Sequence, residues 1–262
     1  MTLLRALGRL YLVSVFVFLL APVVVAVLTS FNPTRLNLFP PQGVSLIWYR
    51  EFLQADNFTH AFVAVSLKLA LIVAVVTGLL ALPAAYALSR YRFRGRTLLQ
   101  TLFLSPMMVP QMVVGIALLL FFARYTFADE LRIVVGHTLI ALPIAIRAIT
   151  ASLEGSDPQL EEAALSLGAN PLQTFARVTA PLIGSGLLAA MLFAFTLSFT
   201  DVNVALFLTG PRTTTLPVEV FAYLRWESTP VIAAIAAVQV AMILVIALVI
   251  HRLAGLDAVV RY

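Results

Sequence analysis

Six apolar segments, each about 20 residues long, run through the sequence. A helix rises 1.5 Å per residue, so about 20 apolar residues cross the roughly 30 Å hydrocarbon layer of a membrane. We therefore predict six transmembrane helices at about residues 10–30, 64–88, 98–122, 133–153, 182–201 and 231–250. Neighbouring spans satisfy the carbonyls that a proline frees, so we expect kinks rather than helix ends at Pro22, Pro83, Pro106, Pro110 and Pro143.

The composition excludes most other classes of protein. Hydrophobic residues make up 61% of the chain and charged residues 11%, too few charges to cover a soluble domain of 262 residues. A mean hydropathy of +1.01 excludes intrinsic disorder. The net charge of +5 comes from arginines between apolar segments, so we expect contact with membrane lipid and no nucleic-acid partner. We predict one all-α transmembrane domain, residues 1–262.

The distribution of arginines predicts the orientation in the membrane. Cytoplasmic loops carry an excess of Lys and Arg. If the N-terminus is cytoplasmic, the inner segments hold Arg5, Arg9, Arg90, Arg92, Arg94, Arg96, Arg147, Arg177, Arg252 and Arg261. The outer segments then hold Arg35, Arg50, Arg124, Arg132, Arg212 and Arg225. This excess on the inner side predicts that both termini are cytoplasmic.

The segment 154–181, between the fourth and fifth predicted spans, has the pattern of two capped helices. Asp157 is a typical N-cap followed by a proline, and Gly168 suits the left-handed position that ends a helix. Asn170, again followed by a proline, caps a second helix, and Gln173 stands where a capping box requires Glu or Gln. We predict a helix-turn-helix unit on the cytoplasmic side.

The first of these helices has an apolar ridge and an acidic face. Its spacing of three and four residues puts on one side Leu160, Ala163, Ala164 and Leu167. Such a ridge either lies along the membrane interface or docks into a protein partner. Interfacial helices normally carry Lys or Arg, whereas residues 154–168 contain four acids and no base. This composition favours docking into a partner.

The same segment carries a recognisable order of residues. It contains Glu162-Ala163-Ala164, three further residues, Gly168, and then Phe175, Val178 and Pro181. This order resembles the EAA loop of the membrane subunits of bacterial binding-protein-dependent ABC importers, although Ala180 stands where that loop usually has leucine. Other stretches are similar to the spermidine/putrescine-type branch: Ser30-Phe31-Asn32, Ser45-Leu46-Ile47-Trp48-Tyr49, Leu208-Thr209-Gly210-Pro211 and Thr215-Leu216-Pro217.

The resemblance implies a permease subunit in the bacterial inner membrane that forms half of a substrate pathway. Its implied partners are two cytoplasmic ATPase subunits, a second permease subunit, identical or homologous, and an extracytoplasmic solute-binding protein. The substrate implied by this branch is a polyamine or a related small polar solute. Similar permeases serve opines, phosphonates or ferric ions, so these substrates are alternatives. The EAA loop would couple the permease to the ATPase through Glu162, Ala163, Ala164, Leu167 and Gly168.

The sequence itself contains no site for ATP hydrolysis or other catalysis. A phosphate-binding P-loop requires G-x-x-x-x-G-K-[ST], and the only lysine is Lys68, between two leucines. The histidines, His60, His137 and His251, are far apart and form no H-E-x-x-H pattern. We therefore expect no catalytic residue, no bound metal and no cofactor, with ATP hydrolysis supplied by a partner subunit.

Two polar residues near the outer end of the fifth span are candidates for the translocation pathway. Ionisable residues within spans are functional candidates, because burying a charge in hydrocarbon is costly. Asp201, followed by Asn203, is the best of them; its alternatives are a place at the water interface or a pair with Arg212. Lys68 is expected to extend outward to water rather than to bind substrate. The alternative function is a self-sufficient secondary carrier or channel, for which internal repeats would be evidence.

Overall fold

The computed structural model describes residues 2–254, and every regular element in that range is helical. The α-helices are α1 (Thr2–Thr29), α2 (Ile47–Gln54), α3 (Asp56–Thr59), α4 (Lys68–Arg90), α5 (Arg96–Leu104), α6 (Gln111–Phe122), α7 (Asp129–Glu154), α8 (Gln159–Ser166), α9 (Pro171–Thr174), α10 (Ala180–Leu182), α11 (Gly184–Thr200), α12 (Ala205–Leu208), α13 (Leu216–Tyr223) and α14 (Val231–Ala254). Two π-helical turns, His60–Leu67 and Phe175–Thr179, and a 3₁₀ turn, Ser105–Met107, complete the set. The predicted all-α fold is confirmed. Arg261, part of the charge count, lies outside the described residues.

The number of helices that can cross a membrane depends on how bent helices are counted. Four described helices are long and apolar enough by themselves: Leu7–Thr29, Asp56–Arg90, Asp129–Glu154 and Val231–Ile250. Two further pairs qualify only if each bent pair is one span: Arg96–Met107 with Gln111–Phe122, and Pro171–Leu182 with Gly184–Thr200. The described residues therefore contain four unbroken helices that could cross a membrane, or six spans if each bent pair is counted as one.

Prolines explain one of the two breaks. Pro22, Pro83 and Pro143 lie inside continuous helices, as expected. At Pro106 and Pro110, by contrast, the third predicted span turns by 98° between α5 and α6. Two prolines within five residues remove two backbone donors from adjacent turns, so the helix ends and restarts instead of kinking.

The chain divides into two compact units, of which the first comprises Met1–Thr59 and Val220–Leu244. Within it, the buried Trp48 indole donates a hydrogen bond of 2.6 Å to the Asn32 carbonyl oxygen. The Ser30 and Tyr49 hydroxyls are also 2.6 Å apart. Two of the stretches on which the family resemblance rests are thus joined by hydrogen bonds.

The second compact unit comprises His60–Glu219 and Val245–Tyr262, and three helices, α4, α7 and α11, form its core. Small residues let these helices approach closely, as is common between transmembrane helices. A side chain at Gly186 of α11 would overlap Ser152 of α7, and one at Gly78 of α4 would lie 2.9 Å from Met191 of α11. The buried core residues here are Ala81, Ala85, Leu88, Ala145, Ile146, Ile149, Leu153, Ile183 and Ala190.

Candidate functional site

The segment 154–181 folds into two helices joined at a glycine. Asp157 Oδ1 accepts a hydrogen bond of 2.9 Å from the Gln159 N–H, and α8 begins at Gln159. Asp157 therefore caps α8, as predicted. The sequence predicted that the helix starts at Pro158, whereas it starts at Gln159, a difference of one residue that is typical of helix ends.

Gly168 ends α8 in the left-handed conformation, with φ of 90°. The Gly168 N–H donates to the Leu165 carbonyl at 3.0 Å, and the Ala169 N–H donates to the Ala164 carbonyl at 3.1 Å. These two bonds form a complete Schellman motif, which satisfies the last carbonyls of the helix. The predicted glycine stop is confirmed, and Cβ-bearing residues are disfavoured at this φ.

The second helix begins with the predicted capping box. The Gln173 N–H donates to Asn170 Oδ1 at 2.9 Å, and the Asn170 N–H donates to Gln173 Oε1 at 3.0 Å. The helix continues through a π-helical turn, Phe175–Thr179, to Leu182, so it ends one residue beyond Pro181. The chain then bends by 68° into α11.

Helix α8 exposes leucines as well as acids at its surface. None of its residues is buried, and the Leu167 that follows it is 89% exposed. Leu160 and Leu165 are also exposed, as are Glu162 and Ala163, while Ala164 is half-buried. All five residues predicted to couple to a partner therefore lie at or near the surface.

Glu161 has surroundings unlike those of Glu162. Its carboxylate accepts hydrogen bonds from Arg90, the last residue of α4, and from the Tyr86 hydroxyl. In the sequence, Arg90 contributes only to the excess of arginine in the inner segments. Arg90 and Glu161 are 71 positions apart in the chain, and no periodic signal in the sequence pairs them.

Asp201, the first pathway candidate, is buried with only 7% of its surface exposed. Its Oδ2 accepts hydrogen bonds of 2.9 Å from the N–H groups of both Val204 and Ala205. The carboxylate therefore satisfies the free donors at the start of α12, the role of an N-cap. The structure places Asp201 against this turn and not against Arg212, which is exposed.

His137 of α7 brings a second buried polar group to Asp201. Its Nε2 lies 3.4 Å from Asp201 Oδ2, and its Nδ1 lies 2.8 Å from the Ser198 hydroxyl of α11. His137 is 1% exposed, so three polar side chains from α7 and the end of α11 meet inside the protein. No sequence pattern predicts a role for His137, because only the packing of α7 on α11 makes it a neighbour of Asp201.

Asn203, the second pathway candidate, points away from this buried cluster. Its Nδ2 donates a hydrogen bond of 2.9 Å to Gln111 Oε1 at the start of α6, in an exposed position. Added side chains at Gly115 of α6 or Gly136 of α7 would collide with residues at or next to α12, so α12 is wedged between these helices. Asn203 therefore lies in the turn between α11 and α12, and the packing of α12 against α6 and α7 keeps this turn in place.

Lys68, the only lysine in the sequence, forms an ion pair with Glu130. Its Nζ lies 2.6 Å from Glu130 Oε1 in the first turn of α7, and both side chains are about half exposed. This exposure agrees with the expectation that Lys68 reaches towards water, and the structure adds its partner, Glu130. A pair this exposed contributes little to stability.

Comparison with known proteins places this arrangement in a family. Residues 74–256 match the family model described as "Binding-protein-dependent transport system inner membrane component". The chain is 35% identical over 229 residues to the putrescine transport system permease protein PotI of Escherichia coli strain K12, covering 84% of this chain and 81% of PotI. It is 28% identical over 236 residues to the spermidine/putrescine transport system permease protein PotC of the same strain, covering 90% and 89%.

A solved structure has the same fold. It is that of a bacterial alginate ABC transporter in complex with an alginate pentasaccharide-bound periplasmic protein. The TM-score is 0.68 at 16% sequence identity, covering 95% of this chain and 93% of that one. At this identity the likeness establishes the fold alone.

Proposed function

Since this chain belongs to the family of binding-protein-dependent transport system inner membrane components, we propose that it forms half of a translocation pathway driven by separate ATPase subunits. It is a permease subunit of an ABC importer and a multi-pass inner membrane protein. No P-loop sequence occurs in the chain, which supports ATP hydrolysis on a partner.

The observation that carries the proposal is the exposed apolar end of α8. Leu160 near the start of α8 is exposed, as are Leu165 and Leu167 at its C-terminal end, which a Schellman motif fixes. The acid Glu162 on the same helix is also exposed. Burying these leucines would be favourable, at about 25 cal/mol per Å² of apolar area removed from water. The acidic first turn opposes docking on a lipid surface. We infer that a cytoplasmic ATPase subunit covers this surface, with Glu162, Ala163, Ala164, Leu167 and Gly168 at the contact.

The remaining partners follow from the importer class. A second permease subunit, identical or homologous, would complete the pathway, and an extracytoplasmic solute-binding protein would deliver substrate. With α8 facing the ATPase, the segment 154–181 is cytoplasmic, and six crossings then place both termini in the cytoplasm. The excess of arginine in the inner segments supports this orientation.

Polyamines are the substrate class that the relatives suggest. PotI is named for putrescine, and PotC for spermidine and putrescine. We propose that Asn203 faces the pathway, because it is held at the surface by Gln111. Asp201 stays a candidate for the pathway, although its Oδ2 is occupied by two backbone donors. Its contribution would be to shape the turn that presents Asn203.

Replacing one exposed leucine tests whether α8 is the docking surface. Leu167→Glu adds a charge where we expect an apolar contact, and Leu36→Glu makes the same change at a residue that is 64% exposed elsewhere. We expect affinity-purified Leu167→Glu to lose its co-purifying ATPase subunit, whereas Leu36→Glu and the wild type retain it. Equal recovery of the ATPase with all three chains, or its absence from the wild type, would contradict the proposal.

A further inference from the structure

An ion pair between Arg90 and Glu161 connects α4 to α8, two helices that do not follow one another in the chain. The segment 154–181 is joined covalently to α7 at one end and to α11 at the other. The third core helix, α4, ends at Arg90, and its side chain reaches the first turn of α8. Arg90 Nε and Nη2 each lie 3.0 Å from Glu161 Oε1, and Nη2 also donates to the Ser156 hydroxyl at 2.9 Å.

The pair is enclosed and fully occupied. The Arg90 and Glu161 side chains are only 14% and 12% exposed. The second carboxylate oxygen of Glu161 accepts from the Tyr86 hydroxyl at 3.3 Å, so both oxygens have partners. Charge-assisted bonds to an arginine fork also fix geometry. This pair therefore differs from the solvent-exposed ion pairs that contribute almost nothing.

Two helix ends of opposite polarity meet at this pair. Arg90 lies at the C-terminal end of α4, where the helix dipole favours a positive charge. Glu161 lies in the first turn of α8, where the dipole favours a negative charge. Each charge is thus stabilised by its own helix as well as by the other, which favours one relative position of the two ends.

The same end of α4 also contacts the second arm of the segment. The Tyr86 ring packs edge-on against Phe175, with centroids 5.5 Å apart and planes at 82°. Tyr86 therefore touches both arms, through Glu161 and through Phe175. Arg92 and Arg94, the next arginines in the chain, are exposed.

We propose that Arg90 and Glu161 are a positioning pair that locks α8 to α4, so that movement of α8 is passed to all three core helices. The proposal rests on the proposed function, since the ATPase supplies the movement. It divides the adjacent acids into two roles: Glu162 faces the partner, whereas Glu161 holds the helix in place. Without the pair, α8 would stay attached to α7 and α11 but could tilt relative to α4.

The first test needs only the purified chain and no partner. Amide hydrogen exchange is measured over residues 159–166 in detergent for the wild type, Arg90→Gln and Glu161→Gln. Arg92→Gln and Glu154→Gln are matched controls, which remove one exposed charge of the same kind nearby. We expect exchange in α8 to rise at least threefold in the first two variants and to stay unchanged in the controls. Unchanged exchange in both pair variants would overturn the proposal.

The second test measures coupling in the complex with the ATPase and binding protein, with putrescine as the probe. We expect Arg90→Gln and Glu161→Gln to retain the ATPase subunit and to hydrolyse ATP, with uptake per ATP at least fivefold lower. The exchanged pair, Arg90→Glu with Glu161→Arg, should recover part of this ratio, which a purely structural loss would not allow. An unchanged ratio in both single variants would overturn the proposal. A wild-type chain that binds no ATPase would contradict the proposed function, while the exchange experiment would still decide whether the pair positions α8.

Discussion

Glu161 and Glu162 are adjacent in sequence, yet their carboxylates have opposite surroundings: Glu161 is enclosed by Arg90, whereas Glu162 is exposed. Successive residues of a helix point about 100° apart, so one turn can present one acid to its own protein and the next to a partner. We therefore expect the two acids to have separable roles, Glu161 within this chain and Glu162 towards a partner.

Gly168 is predicted to be required for its backbone conformation. Its φ is 90°, and no atom lies within 4 Å of an added Cβ, so strain is the only cost of a methyl group there. Gly168→Ala should cost about 1–2 kcal/mol locally and lower uptake several-fold, and Gly168→Val should lower it further. The matched control Gly155→Ala lies at an ordinary φ of −77° and should leave uptake unchanged. Equal uptake by the two alanine variants would contradict the claim that transport requires glycine at position 168.

Asp201 is predicted to stabilise the protein through the turn before α12. Asp201→Ala leaves the buried N–H groups of Val204 and Ala205 without their acceptor, at a cost of about 1–3 kcal/mol each. Asp201→Asn keeps an acceptor oxygen and should be milder. Thermal unfolding in detergent measures both, with the half-buried Asn203→Ala as the control. An Asp201→Ala protein as stable as Asn203→Ala would rule out the capping role.

Gly186 is predicted to be essential for the contact between α7 and α11. A Cβ there overlaps Ser152, whereas nothing lies within 4 Å of a Cβ added to Gly184 on the same helix. Gly186→Ala should destabilise the folded protein by about 1–3 kcal/mol, the usual cost of overpacking. Gly184→Ala should be neutral or slightly stabilising. The two variants are compared by their unfolding temperatures in one detergent, where equal values would contradict the close approach of the helices.

The orientation is predicted by the arginine distribution and can be measured directly. The chain has no cysteine, so single cysteines report without background. Val44→Cys and Arg212→Cys should react with a membrane-impermeant thiol reagent from the extracytoplasmic side, and Thr97→Cys and Gln173→Cys should not. All four positions are exposed, so differences in labelling reflect the side of the membrane. Reversed labelling would invert the proposed topology.

Local features of the segment 154–181 could be predicted because their causes are local. Asp157, Gly168 and the Asn170–Gln173 box each satisfy backbone groups within a few residues, so the identity and spacing of the residues suffice. The apolar length of the spans is equally local. These signals predicted the all-α fold and the two helices of the segment.

Features that depend on packing could not be predicted from the sequence. His137 and Asp201 are neighbours only because α7 packs on α11, and Asp201 turns out to hold a backbone turn. The 98° break near Pro110 was not predicted either, because hydropathy does not distinguish the two closely spaced prolines there from the single prolines Pro83 and Pro143, whose helices stay continuous. Hydropathy treats the broken and the unbroken spans alike.

ATP-driven uptake in proteoliposomes tests whether this permease is energised by a separate ATPase. The chain is reconstituted with its second permease subunit and solute-binding protein, with or without the ATPase subunits, and putrescine accumulation is followed. We expect accumulation only when the ATPase subunits and ATP are both present. Accumulation without the ATPase, driven by an ion gradient, would contradict the account and identify a self-sufficient carrier.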